Sequence, residues 1–187
     1  MRKFAYLLAL SILAVPTLCQ EVPRVEVFGG YSLTHDKAQT RSGWNAQATL
    51  NLNRWLGITT DVAGHYGNTH IDLGLSTINY TDSLHTFTVG PTLSYRTSKF
   101  TPFAHVLIGG ARSGGTSTVS YPSFPSVPSY RLSGSDHAFA MLTGGGIDVN
   151  LTRRIAFRPV QADWLLTRFG GINWNRFRYS AGIVIRF

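Results

Sequence analysis

Few residues in this chain are placed to do chemistry. The stretch "DSLHTF" sets Asp82, Ser83 and His85 within four positions, the residue types of a hydrolytic triad: a hydroxyl nucleophile, a base to take its proton and a carboxylate to orient the base. On an extended chain neighbouring side chains point to opposite faces, so Ser83 and His85 share a side and Asp82 does not. Asp61 and His65 share a parity that suits an oriented base and equally suits a satisfied polar pair. The six histidines, at positions 35, 65, 70, 85, 105 and 137, include no close pair with the helical or hairpin spacing of a zinc site. The residues therefore predict no catalytic site, no metal site and no cofactor, and the chain is expected not to be an enzyme.

A second set of charged residues has a regular setting. Glu26, Asp61, Asp148, Arg158, Asp163, Arg178 and Arg186, with Arg24, each alternate with apolar neighbours. Alternation of period two is the pattern of a strand with one apolar and one polar face. The closing stretch "YSAGIVIRF" is the clearest case, with Tyr179, Ala181, Ile183, Ile185 and Phe187 on one parity and Ser180, Gly182, Val184 and Arg186 on the other. In "AFRPVQADW" the parity switches between Arg158 and Gln161, which predicts an extra residue at Pro159 and Val160. Proline tolerates such a bulge because it has no N–H to give to the ladder.

The elements that carry these residues number eight. They are read at Arg24 to Thr34, Trp44 to Asn53, Leu56 to Tyr66, Leu84 to Arg96, Pro102 to Arg112, His137 to Leu151, Ile155 to Leu166 and Phe177 to Phe187. Short joints at Asn53 to Trp55, Thr97 to Thr101 and Thr152 to Arg154 alternate with longer ones at Asp36 to Gly43, Gly67 to Ser83, Ser113 to Asp136 and Thr167 to Asn175. Dyad-repeat strands of about ten residues, even in number, with short turns at one end and long loops at the other, predict an eight-stranded antiparallel up-and-down transmembrane β-barrel. A soluble barrel or sandwich would also alternate. Aromatic residues near the strand ends of the apolar face favour the two interfaces of a bilayer instead.

The first residues agree. "MRKFAYLLALSILAVPTLCQ" has a basic start, a short apolar core and a polar end, the layout of a cleaved signal peptide at 1–19 followed by a barrel domain at 20–187. Cleavage after Cys19 removes the one cysteine, so neither disulfides nor a thiolate serve the mature protein. About 168 residues remain, one domain large enough to bury a core. The formal charge is +8, but the arginines are scattered singly in an exported chain, and a nucleic-acid partner is excluded.

The organisation from Arg24 to Phe187, the C-terminal Phe with apolar residues at every second position before it, and the segment "IAFRPVQADWLLTRF" resemble the small OmpA-like, or outer membrane β-barrel domain, family. The resemblance implies an outer-membrane location in a Gram-negative-type bacterium after secretion through the inner membrane. It implies as partners outer-membrane lipid, periplasmic chaperones and the barrel assembly machinery, which reads Tyr179, Ala181, Ile183, Ile185 and Phe187. Nothing follows Phe187, so the peptidoglycan-binding domain of longer relatives is not expected.

Two readings of the inward charges remain: an ion path, as in a small porin-like channel, or a plug. Eight strands leave room only for their own side chains, and buried charges persist only when paired, which favours the plug. Glu26, Asp148, Arg158 and Arg186 are expected in a lower layer, and Asp163 with Arg178 in an upper pair. Tyr121, Phe124 and Tyr130, in the Ser/Pro-rich stretch "GGTSTVSYPSFPSVPSYRLSGS", are candidate contacts for an extracellular ligand. The expected role is structural or surface-interacting, with a channel or an outer-membrane lipid hydrolase as alternatives.

Overall fold

An extended chain whose two faces differ in polarity must bury one of them. These strands do so by curling until the first meets the last. The computed structural model describes residues 22–36, 40–74, 76–121 and 128–187; the signal segment lies outside them, as does Phe124. The strands are β1 (Val25–His35), β2 (Thr40–Asn51), β3 (Leu56–Asp72), β4 (Thr77–Ser94), β5 (Phe100–Ser120), β6 (Tyr130–Asn150), β7 (Ile155–Phe169) and β8 (Ile172–Arg186). Each pairs antiparallel with the next, and β1 closes on β8 as a complete barrel. Closure leaves no sheet edge around the barrel itself; toward the outer end, β3 beyond Tyr66 and β6 before Phe139 lack a second partner strand. The last rung is made by Phe187, whose N–H donates to the Val25 carbonyl at 2.9 Å and whose carbonyl accepts from the Val25 N–H at 3.3 Å.

The barrel is polar inside and apolar outside. Along β8, Tyr179, Ile183 and Ile185 are exposed while Ser180, Val184 and Arg186 are buried in the lumen. Tyr31, Trp44, Ile58, Phe87, Ile108, Phe139, Trp164 and Phe177 continue the exposed apolar face around the circumference. The lumen is not uniformly polar: Leu84, Leu107, Ala111, Ala140, Leu142 and Leu165 pack together inside β4 to β7. A bore this narrow is filled by side chains, and leucine fills it without needing a hydrogen-bond partner.

At one end three tight turns use the same device. The Asn53 Oδ1 accepts from the N–H groups of Trp55 and Leu56 at 2.8 Å each. The Thr97 Oγ1 accepts from Phe100 N–H at 3.0 Å, and the Thr152 Oγ1 from Ile155 N–H at 2.9 Å. A short polar side chain thus satisfies the backbone that reverses direction.

The other end departs from the expected loops. β3 runs on to Asp72, β4 begins at Thr77, β5 reaches Ser120 and β6 begins at Tyr130, so most of 67–83 and 113–136 is paired strand. Beyond the apolar belt both faces meet water and side-chain alternation vanishes, while the backbone ladder continues. The stretch read as Thr167 to Asn175 is also strand, turned by Gly170 and Gly171 at φ of 53° and 84°. Two successive left-handed residues make the tight hairpin turn whose twist matches the strands. The parity switch in β7 is a bulge: Arg158 faces Gly182 and Gln161 faces Ser180, leaving Pro159 and Val160 opposite the single residue Ala181.

Candidate functional site

Inward parity brings charged side chains from seven of the eight strands into one lumen. At the short-turn end Glu26 of β1 forms an ion pair with Arg96, and Asn51 donates to it at 3.1 Å. Arg186 of β8 lies 3.7 Å from both Glu26 and Asp148 and donates to Asn150 at 2.7 Å.

One layer further in stands Arg158. Its Nε and Nη2 meet the two oxygens of Asp148 at 2.6 and 3.2 Å. Its guanidinium carbon lies 4.4 Å from the Phe28 ring centroid and 4.1 Å from that of Phe103. Facing aromatic rings suit this planar, weakly hydrated cation. The bulge at Pro159 and Val160 keeps both Arg158 and Gln161 pointing inward.

Above it lies Arg178, fully buried. It donates through Nη1 and Nη2 to Asp61 at 2.8 Å each, and through Nε and Nη2 to Asp163 at 3.0 and 2.8 Å. His105 completes this layer with Nε2 at 2.9 Å from Asp163.

Two glutamines join the layers. Arg158 Nη1 donates to the carbonyl oxygens of Gln47 and Gln161, each at 2.7 Å. Gln47 in turn donates to Asp61 at 2.8 Å, and Gln161 to Asp163 at 2.7 Å. Each amide faces a cation with its oxygen and a carboxylate with its nitrogen. Near the outer end, Arg41 bridges Asp36 and Asp82, and Arg176 lies 3.5 Å from Asp36 and donates to Thr167 at 2.8 Å. The ion pairs thus join six arginines, 41, 96, 158, 176, 178 and 186, with six carboxylates, those of Glu26 and Asp36, 61, 82, 148 and 163.

The seven charged residues read from parity, Glu26, Asp61, Asp148, Arg158, Asp163, Arg178 and Arg186, all lie within this set. Asp61 joins Asp163 on Arg178, a partner the expected upper pair lacked. Arg96, Arg41, Arg176, Asp36 and Asp82 were missed. Arg96 was read as the last residue of the fourth strand and instead follows β4, which ends at Ser94; Arg41, Asp36 and Asp82 fell in expected loops, where no alternation marked them. Asn45 and Gln47 alternate with Trp44, Ala46 and Ala48 along β2, but their partners sit on β3 and β7.

The triad residues of "DSLHTF" are separated by the barrel wall. Asp82 is buried beside Arg41, whereas His85 is exposed outside and hydrogen-bonds the Tyr66 hydroxyl at 3.2 Å. His65 meets the Ser32 hydroxyl at 2.9 Å rather than Asp61. Tyr179, Ala181, Ile183, Ile185 and Phe187 share the outer face of β8. Tyr121 lies just past β5, and Tyr130 opens β6 opposite Val119.

No family model matches the chain, and no curated protein does. Solved structures do. Ail, the attachment invasion locus protein of Yersinia pestis, has a TM-score of 0.56 at 14% identity over 87% of this chain and 99% of that one. The same protein in complex with the heparin analogue sucrose octasulfate gives 0.53 at 13% identity over 86% and 96%. The backbone structure of the Yersinia pestis outer membrane protein Ail in a phospholipid bilayer nanodisc gives 0.45 at 15% over 89% and 100%. At these identities the likeness concerns the fold, and in fold this chain is an eight-stranded antiparallel barrel of the small outer-membrane type.

Proposed function

We propose that the mature chain, 20–187, is a non-enzymatic barrel of the outer membrane of a Gram-negative-type bacterium, with a lumen closed by its own side chains and a structural or surface-interaction role. The observation that carries this reading is the Arg158 and Arg178 network. Two guanidinium groups, linked through Gln47 and Gln161, cross the bore between opposite walls, and the surrounding charges balance in pairs. A hydrated ion would have to break these contacts to pass.

The exposed apolar face supports membrane residence, since so large an apolar area is not left in water. Secretion by the signal peptide, passage with periplasmic chaperones and insertion by the assembly machinery complete the route, with Tyr179, Ala181, Ile183, Ile185 and Phe187 as the assembly signal. The surface role rests on β3, β4, β5 and β6, which continue past Tyr66, Phe87, Ile108 and Phe139 into a four-stranded extension ending near Tyr121 and Tyr130. Ail, similar in fold, is named for attachment; a contact with an extracellular ligand through this extension is the equivalent proposal for this chain.

Planar bilayers test the plug. The purified protein is expected to show little or no steady conductance. Large, stable openings would establish the porin-like channel in its place, and release of fatty acid from outer-membrane lipid by the purified protein would revive the hydrolase.

A further inference from the structure

On the outer face of β4, β5 and β6, cross-strand register lays nine residues out as a grid. His85 stands beside Arg112, and Arg112 beside His137. Two residues toward the short-turn end the row is Phe87, Gly110 and Phe139; two residues the other way it is Ser83, Gly114 and Ser135. An apolar row, a basic row and a hydroxyl row are thus stacked in that order. Rows two residues apart on a strand are separated by about 7 Å, and partners within a row by about 5 Å. One amphiphile spans all three.

The side chains are presented for binding. His85, Arg112 and His137 are all exposed, and Phe87 and Phe139 belong to the exposed apolar belt. Glycine lies on both sides of Arg112 along its own strand, leaving a notch between the two phenyl rings. A Cβ built at Gly110 would meet only the Ala138 carbonyl oxygen, at 3.7 Å. Beyond the basic row an open groove of about 470 Å³ continues over Tyr66, Ser83, Gly114 and Ser135, and the one carboxylate in its lining, Asp82, is already paired with Arg41. The Tyr66 ring meets His85 edge-on at 5.6 Å and holds it by the hydroxyl contact.

Charge selects the occupant. Every carboxylate of β4 to β8, at Asp82, Asp136, Asp148 and Asp163, lies on the lumen parity. Asp136 turns its Oδ1 to the backbone N–H of His137 at 2.8 Å. Arg112 has no carboxylate partner among the described residues. A cation between two imidazoles, without an acid, at the upper edge of an apolar belt, is complementary to a phosphate carried by something that itself lies in the belt.

We infer that this face binds a phosphorylated lipid of the surrounding leaflet. Its acyl chains lie along Phe87 and Phe139, its phosphate is held by Arg112 between His85 and His137, and its hydroxylated headgroup meets Ser83 and Ser135. Arginine presents a fork of donors that matches phosphate oxygens. The inference rests on the membrane reading above and adds to it one chemically selective position on an otherwise uniform belt.

The test uses the intact protein in phosphocholine nanodiscs, with insertion scored separately by the heat-sensitive gel mobility of a folded barrel. A phosphorylated glucosamine-based acyl lipid or its dephosphorylated counterpart is titrated in, and the ring-proton NMR signals of His85 and His137 are followed. The phosphorylated lipid is expected to bind about tenfold or more tightly than its counterpart, and Arg112→Gln to lose about tenfold, the worth of one charge-assisted contact. Gly110→Val, which fills the notch and leaves the charge intact, should weaken binding as well, while Arg131→Gln, outside the grid, should not. Should Arg112→Gln fail to insert, the His85→Asn, His137→Asn pair supplies the same loss, read then from the phosphorus NMR signal of the lipid. Equal binding of the two lipids, unchanged affinity in Arg112→Gln, or equally tight binding of inorganic phosphate would overturn the site in a properly inserted barrel. Failure of the wild type to insert would defeat the membrane reading itself, and this site with it.

Discussion

Arg178 on β8 grips Asp61 on β3 through both terminal nitrogens at 2.8 Å, although 117 residues separate them in the chain. The contact runs across the lumen, so it forms only when the sheet has closed.

Arg178→Met should therefore cost about 3–5 kcal/mol, because Asp61 and Asp163 would be left buried and uncompensated. Asp61→Asn should cost less, since Asp163 still faces the guanidinium at 2.8 Å. Urea unfolding in lipid vesicles measures both. Equal and small losses would mean that water reaches these carboxylates and the lumen is hydrated.

How much of this could be read from the chain depends on whether a residue's neighbours alternate. Ile183, Val184 and Ile185 declare their faces, and the bulge in β7 shows as the point where outward parity passes from Phe157 to Val160. The strands' paired extensions were not legible, because Ser113 to Thr118 is Ser, Gly and Thr on both faces. Leu107 and Leu142, inside the bore, broke the expectation of a polar lumen. The links made by Gln47 and Gln161 were hidden for another reason: which strand lies opposite which is a property of the closed circle and not of any one strand.

Arg158 is held by three kinds of contact, and substitutions should separate them. Arg158→Lys keeps a cation between Phe28 and Phe103 but loses the fork to Asp148 and the bonds to both glutamines. It should recover only part of the stability lost in Arg158→Ala. Phe28→Leu should cost on the order of 1 kcal/mol through the ring contact, beyond the change in packing. A double-mutant cycle between positions 28 and 158 reads that coupling, and zero coupling would discount the stacked geometry.

Gly144 opposes Asp163 across β6 and β7. A Cβ there would sit 2.3 Å from both the Ala162 carbonyl oxygen and the Asp163 carboxylate, and the first is backbone in the barrel wall. Gly144→Ala should sharply reduce the folded fraction on refolding, whereas Gly110→Ala, with open space beside it, should fold as the wild type does. Gel mobility before and after heating distinguishes them.

External protease on intact cells checks the topology. The connection between β5 and β6, residues 121–129, is the longest between strands at the outer end, while Gly170 and Gly171 turn β7 into β8 at once. Cleavage is expected within 121–129 and to spare 113–120, which is paired strand. Cutting first at the turns near Asn53, Thr97 or Thr152 would invert the orientation.

The last rung of the barrel ties assembly to one residue. Phe187 bonds Val25 in both directions, joining the end of β8 to the start of β1, and its exposed ring stands on the same outer face as Ile183 and Ile185. Deleting Phe187 removes both hydrogen bonds and the terminal aromatic, and should slow or block insertion in cells. Replacing Ile183 and Ile185 with Asp leaves that rung intact but puts charge on the apolar face. A basic residue at a bilayer midplane costs about 2–4 kcal/mol and an acid less, and two acids together should still prevent stable insertion. Membrane fractionation of cells expressing each variant reads both effects. If the deletion fails in cells yet refolds normally into vesicles, Phe187 acts in recognition; if it fails in both, closure of the barrel is what it supplies; and full insertion of the double aspartate variant would show that this face does not meet lipid.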